Sequence, residues 1–365
     1  MIGPKSFVEC LMKCGVDFFT GVPDSLLKNF CAYVTDHCGE NHVIAANEGG
    51  AVGLASGHYL ATKAPALVYM QNSGQGNAVN PLASLADPDV YSIPMILLVG
   101  WRGEPGAKDE PQHVKQGKVT ISLFETLGIP TYVIPDGNDV VNSGQGIVNS
   151  WESVVTHAVE QAKVESRPVS LVVRKGLFDE YKLQNKTADI STLKREEAIE
   201  AILTSLGEDA VIVSTTGMIS REVYETRERL GQDHSRDFLT VGSMGHASMI
   251  AMGLAKAQPM RSVICLDGDG ASIMQMGNMA ILGQSGCANL THIVLNNAAH
   301  DSVGGQPTVG GAIDLPAIAA SCGYNKPGAP VFKQICVAKG ARKDLGRPKE
   351  KPQENKKLFM EKLAK

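Results

Sequence analysis

No run of apolar residues in this chain approaches the ~20 needed to cross a bilayer, so a membrane-spanning protein is not expected. None of the eight cysteines (10, 14, 31, 38, 265, 287, 322 and 336) is spaced as a CxxC pair. Free thiols in a reducing cytosol are expected, and a cytoplasmic location with them. There is no surplus of positive charge either: the net charge is −4 and the pI near 6.2, which excludes a global basic field for nucleic acid. No GxGxxG follows the first expected strand, so a Rossmann dinucleotide enzyme is excluded. Short repeats are missing, and low complexity is confined to the Lys/Pro/Glu-rich end. Residues 1–16 mix Pro4, Lys5, Glu9 and Lys13 with apolar positions, the pattern of an amphipathic helix rather than of a signal peptide.

What remains is an ordinary globular composition, 43% hydrophobic and 20% charged, over 365 residues, enough for about two domains. Apolar strands alternate with helical patterns in both halves. In the first half strands are expected at 17–20, 43–46, 66–70, 94–99, 131–134 and 169–173, with helices at 26–34, 50–61 and 147–164. In the second they are expected at 210–214, 238–241, 263–266, 293–295 and 331–337. This predicts an α/β protein of two doubly wound parallel-sheet domains, 1–180 and 194–365, joined by a polar linker at 181–193.

The stretch 262–305 organises the second half. A strand runs into Gly268-Asp269-Gly270, a helix is expected near 272–284, and a second strand ends at Asn296-Asn297. In such a βαβ unit the strands are parallel, so Asp269 and the Asn pair share the carboxyl edge of the sheet, where open α/β sheets bind ligands. Gly268 and Gly270 allow close backbone approach, and the N–H groups around Ala271 and Ser272 can meet a phosphate. Asp269 and Asn297 are hard oxygen donors suited to Mg²⁺. Twenty-five residues (271–295) separate Gly268-Asp269-Gly270 from Asn296-Asn297, with a strand before each, a combination that resembles the thiamine diphosphate signature.

Four strand-to-helix junctions of the first half should share one edge in the same way: Gly21 to Ser25, Asn47 to Gly50, the amide-rich QNSGQGNAVN (71–80), and GWRGEPGAKDEPQHVKQGK (100–118). Together they put Asp24, Ser25, Glu48, Arg102, His113 and Lys118 beside one another.

With these residues assembled, the chain resembles the thiamine diphosphate-dependent 2-oxoacid decarboxylases. The resemblance runs from GVPDSLLK, ANEGGAVGLASGHYLAT and DEPQHVKQGK through VGSMGHASMIAMGLA and NNAAHDSVGGQPT to GARKDLGRP. It implies a first domain that binds the aminopyrimidine of thiamine diphosphate and a second that binds the diphosphate through Mg²⁺. The site would lie between subunits of a homodimer or homotetramer. Glu48 matches the glutamate that contacts the aminopyrimidine, Gly242 the acceptor for its amino group, and Met244 the residue wedged under the cofactor. Asp269, Asn297 and the carbonyl of Ala299 match the metal ligands, while Thr216 lies on the same edge. Asp24, Ser25, His113 and His300 are the candidates for delivering the proton after CO₂ leaves. Arg102 and Lys118 are candidates for an anionic substrate tail, with Arg342-Lys343 as a second basic pair.

The expected reaction is decarboxylation of phosphonopyruvate to phosphonoacetaldehyde, as in phosphonate biosynthesis. Sulfopyruvate is the alternative substrate. A third possibility is a chain that binds cofactor without turnover. Only Asn-Lys-Pro-Gly-Ala-Pro separates Tyr324 from the strand at 331–337, where the family places a further strand and helix.

Overall fold

The computed structural model describes residues 1–136, 141–143, 146–148 and 150–364, and forms two compact units, Met1–Lys186 and Thr187–Lys365. The first is built on six parallel strands: β1 (Phe19–Gly21), β2 (His42–Ile44), β3 (Ala66–Gln71), β4 (Met95–Gly100), β5 (Thr131–Val133) and β6 (Pro168–Val173). Their order is β2-β1-β3-β4-β6-β5. Continuous apolar runs make the central strands, because both faces are covered. Leu67, Tyr69, Ile96, Leu98, Leu171 and Val173 pack with Phe7, Phe30 and Phe178 on one face. The alternate residues Val68, Met70, Leu97 and Val99 pack with Ala51, Ala55 and Phe124 on the other.

Two expected helices shift. The one anticipated at 26–34 is Lys28–His37, since the Asp24 carboxylate takes the N–H groups of Leu26 (2.9 Å) and Leu27 (3.3 Å) and holds a turn ahead of it. The one anticipated at 147–164 is Trp151–Glu165, capped by the Ser150 hydroxyl; Ile147 belongs instead to the strand Gly146–Val148, and residue 149 lies outside the described residues.

The second unit has five parallel strands: β7 (Val211–Ser214), β8 (Asp237–Leu239), β9 (Val263–Gly268), β10 (Leu290–Asn296) and β11 (Val331–Cys336), ordered β8-β7-β9-β10-β11. Val211, Val213, Val263, Cys265 and Val294 face the helices Ala247–Ala257 and Leu315–Cys322. Ile212, Ile264, Leu266, Ile293 and Leu295 face the helices Arg195–Ser205 and Met218–Arg229. Edge strand β8 is held by a fully buried Arg227–Asp237 pair and by Asn355 of the last helix, which bonds Leu239 N–H and Asp237 C=O. The helix expected at 272–284 is two, Asp269–Met274 and Gly277–Gly283. The break lies where Gly245 packs on Gln275, so closely that a Cβ there would stand 2.6 Å from Gln275 Cγ.

Between β6 and the helix at Arg195 the chain is irregular. Phe178 inserts into the first core and Gln184 and Asn185 donate to Asp36, whereas Lys339 grips the carbonyls of Thr187 and Ala188.

Candidate active site

In the first unit the four junctions meet as their strand order requires. Asn47 caps the helix Glu48–Thr62, which places Glu48 in the first turn, just past β2. Its side chain is 4% exposed and takes a 2.7 Å hydrogen bond from Asn77 Nδ2. Burial pushes the Glu48 carboxyl up, against the pull of Asn77. A Cβ at Gly74 would lie 2.2 Å from Glu48 Oε1, so only glycine leaves the carboxyl its place. This carboxyl, desolvated so that its pKa is raised and bonded by the Asn77 amide, suits a proton shared with a ring nitrogen.

Asp24 is wholly buried, and burial raises its pKa. Its oxygens are filled by Gln71 Nε2 (2.7 Å) and the backbone of Leu26 and Leu27. Gly100 is again required, since a Cβ there would stand 2.2 Å from Asp24 Oδ2. Ser25 Oγ accepts from Arg102 Nη1 at 2.6 Å. The other face of the Arg102 guanidinium is clamped by Asp109, which also takes His113 Nδ1 at 2.9 Å and the N–H groups of Gly103 and Glu110. These contacts hold the Asp109 carboxyl well below the usual carboxylate range despite its partial burial. Because a carboxylate only accepts, Asp109 puts the His113 proton on Nδ1 and leaves the lone pair on Nε2. Lys118 lies apart, on the exposed face of the helix Pro111–Thr126. Asn77, Gln71 and Asp109 were not singled out by the sequence. Only the His113–Asp109 pair had a local signal, its i, i+4 spacing.

In the second unit Gly268 ends β9 and Asp269 opens the next helix, beside the end of β10. Asp269 is 3% exposed; its partners are the Thr308 hydroxyl and backbone N–H groups including that of Asn297, and burial raises its pKa. A buried carboxylate met by neutral donors is one that a divalent cation would relieve. The hard oxygens of Asp269, Asn297 and Ala299 fit such an ion. Ala299 pairs with Pro307 in a short antiparallel ladder, and Ala298 before it has φ +55°. Asn297 donates from Nδ2 to Asp301 (2.6 Å) and accepts at Oδ1 from Ala299 N–H (3.1 Å).

Around this centre, Met244 Cε and the His300 ring both approach Gly270, 3.5 and 3.3 Å from where a Cβ would stand. Burial lowers the His300 pKa to about 4, so the ring is neutral at neutral pH. Thr216 Oγ1 accepts from Gly242 N–H at 3.0 Å and ties the loop after β7 to the turn Gly242-Ser243-Met244. Ala271 is buried and its carbonyl lies against Gly245. The Ser272 hydroxyl is turned back onto Asp267 (3.2 Å).

Arg342 is not at this centre: it binds Glu196 and Glu225 on the wall of a separate cavity of about 670 Å³. Cys265, Asp267 and His292 form a buried trio within 4.8 Å of one another. Both ring nitrogens of His292 already face partners, Asp267 and the Tyr324 hydroxyl, so the imidazole has no free lone pair for an ion while these hold.

Comparison with known proteins agrees with both halves. Residues 1–123 match the thiamine pyrophosphate enzyme N-terminal TPP binding domain, and residues 215–354 match the C-terminal TPP binding domain. A phosphonopyruvate decarboxylase of Streptomyces viridochromogenes is 34% identical over 385 residues, covering 98% of this chain and 94% of that protein. One from Streptomyces hygroscopicus is 32% identical, covering 99% and 94%. A sulfopyruvate decarboxylase of Methanosarcina acetivorans is 29% identical, covering 87% and 82%. With likeness at this level along nearly its whole length, the chain belongs to the thiamine pyrophosphate enzymes, in the family of the phosphonopyruvate decarboxylases.

Proposed function

We propose that this chain decarboxylates phosphonopyruvate to phosphonoacetaldehyde and CO₂, using thiamine diphosphate held through Mg²⁺. The observation that carries the reading is the likeness to two phosphonopyruvate decarboxylases along nearly the whole chain, which exceeds that to the sulfopyruvate decarboxylase of Methanosarcina acetivorans in both identity and coverage. When bound, the cofactor supplies the nucleophilic carbon and the electron sink.

The chain's own residues do the rest. Glu48, desolvated and held by Asn77, shares a proton with the aminopyrimidine. Gly242, fixed by Thr216, would accept the amino group of the cofactor, and Met244, close to Gly270, would pack against it. Asp269, Asn297 and the Ala299 carbonyl hold the metal, and Gly268, Gly270, Ala271 and Ser272 form the turn on which the diphosphate rests. Of the four candidate proton donors, His113 has the better claim: Asp109 fixes its tautomer and leaves Nε2 free to move a proton. The Asp24 oxygens are filled and Ser25 is occupied by Arg102, so these two order the loop. His300 packs against Gly270 and shapes the cofactor side.

Arg102 recognises the dianionic tail, with Asp109 as the carboxylate the tail must displace or share; Lys118 adds long-range attraction from the helix surface. We place the working site between subunits of a homodimer or homotetramer in the cytoplasm. The eight free cysteines support that compartment, and among the described residues no helix is long and apolar enough to cross a membrane.

The test is a substrate panel with thiamine diphosphate and Mg²⁺. Phosphonopyruvate should turn over best, sulfopyruvate less well and pyruvate poorly. A parent enzyme that prefers pyruvate overturns the phosphonate reading, and a preference for sulfopyruvate selects the alternative.

A further inference from the structure

Asn297 can serve as a metal ligand only through its oxygen, because an amide NH₂ has no lone pair to give. Something must therefore decide which way the amide faces. Asp301 Oδ2 lies 2.6 Å from Asn297 Nδ2, and a carboxylate can only accept, so this contact is satisfied in one orientation alone. The same oxygen receives Arg195 Nη1 at 3.2 Å and Gly340 N–H at 2.8 Å. Arg195 is in turn immobilised by two bonds to Glu222, 2.6 and 2.9 Å, where the side chains are 5% and 1% exposed. Asn297 Oδ1 accepts one bond, from Ala299 N–H, which leaves its second lone pair for an ion.

We infer that Asp301, anchored by Arg195 and Gly340, is a positioning residue that fixes the Asn297 amide with its oxygen toward the metal. This rests on the proposed assignment of Asp269 and Asn297 as metal ligands. Arg195 would be paired by Glu222 without Asp301, so the carboxylate at 301 is not needed merely to neutralise it. Its distinct task is to accept from the amide. Loss of such an outer partner of a metal ligand lowers metal affinity about 10- to 100-fold.

The experiment is calorimetric titration of Mg²⁺ into protein with saturating thiamine diphosphate, beside melting of the metal-free protein. Asp301→Leu removes the acceptor and should weaken Mg²⁺ about 10- to 100-fold, while kcat at saturating Mg²⁺ stays near the parent value. Asp301→Asn keeps an oxygen where Arg195 and Gly340 both donate, so it should rescue affinity to well within tenfold. Asp301→Glu keeps the charge for Arg195 but displaces the oxygen by a methylene. It should fold and bind Mg²⁺ weakly even if the Leu variant does not fold. In an Asn297→Ala background Asp301→Leu should add no further loss of affinity. Equal Mg²⁺ affinity in the parent and the Glu variant overturns the inference, as does an additive loss in the double variant. Asp269→Ala, run alongside, separates the two levels. If it too leaves Mg²⁺ binding unchanged, the metal site itself is wrong; if it alone weakens binding, only the role of Asp301 fails.

Discussion

Glu48→Gln should make the protein more stable and almost inactive. The Glu48 carboxyl is buried at 4% exposure, its one side-chain partner is the Asn77 amide, and burial raises its pKa above the ordinary 4.5. Below pH 4.5 the group is protonated in both folded and unfolded chains and costs nothing. As pH rises through 4.5 the unfolded chain releases its proton first, so the folded state loses stability until the folded group also ionises. Above pH 4.5 that cost is present, and an uncharged Gln of the same shape escapes it. Relief of such a strained functional position typically yields on the order of 0.5–2 kcal/mol, which for a unit of this size raises Tm by roughly 1–8 °C. The same change removes the proton that Glu48 shares with the aminopyrimidine, a contribution of about 10²–10⁴ in rate. Scanning fluorimetry of cofactor-free protein between pH 4 and 8, beside turnover assays and cofactor titration, reads both effects. The Gln variant should match the parent at the acid end, gain on it toward neutrality, and still bind cofactor. A variant that melts below the parent at pH 7, or that keeps the parent rate, refutes the reasoning.

Asp269→Ala should abolish Mg²⁺-dependent binding of thiamine diphosphate and leave the metal-free melting curve intact; unchanged cofactor affinity in calorimetry removes Asp269 from the metal. Arg102→Ala should lower kcat/KM for phosphonopyruvate about 10- to 100-fold, the worth of a charge-assisted contact of about 1.5–3 kcal/mol, with much less effect on pyruvate. Because Arg102 also ties Asp109 to Ser25, its loss should lower Tm, whereas Lys118→Ala, on an exposed helix face, should leave Tm unchanged. Parallel losses on both substrates would make Arg102 a structural residue. His42, bonded to Tyr69 at 2.7 Å, has its pKa lowered by burial to about 4. Between pH 6.5 and about 4 the unfolded chain therefore binds a proton that the folded chain refuses, and stability falls with pH by on the order of 1–3 kcal/mol. His42→Gln should flatten that acid limb of the stability curve, and identical limbs in parent and variant would refute the shift.

What the sequence could show of this site was governed by distance along the chain. Asp269 and Asn297 were legible because a βαβ unit must bring the ends of its two strands together, whatever its helix does. Glu48 was legible for the same reason, as the residue after a strand. Asn77 was not: it is 29 residues from Glu48, and only the sheet order, with β2 and β3 flanking β1, makes their loops neighbours. Asp109 looked like one acidic residue among several in a mixed-charge loop. The fold makes it the hub of Arg102, His113 and two backbone amides. Asp301 is four residues past Asn297, but its anchor Arg195 is 106 residues upstream. The single helix expected after Asp269 failed because its break is set by a loop thirty residues earlier: Gly245 approaches Gln275, and Asn278 bonds the Gly245 carbonyl. Periodicity sees a helix's own face and is blind to the backbone that interrupts it.

The short connection after Tyr324 bears on whether a chain with five strands in its second sheet can still carry an intact site. The turn closes on local chemistry. Asn325 takes a left-handed conformation (φ +62°), its N–H bonds Pro330 C=O, and its side chain brackets the Phe332 backbone. Strand β11 then pairs with β10 along six residues, from Thr291↔Val331 to Asn296↔Cys336. The strands that lead to Thr216, Asp269 and Asn297, β7, β9 and β10, are therefore each flanked on both sides by another strand, while β8, before Gly242 and Met244, is the opposite edge. Because β11 pairs directly with β10, no gap opens in the sheet beside Asn296-Asn297. Strand β11 is an edge, with Lys333 exposed on it, and charged residues on an edge oppose pairing with another chain. The shortening therefore acts on the outer rim of the sheet, which touches the site residues through Gly340, past β11, donating to Asp301.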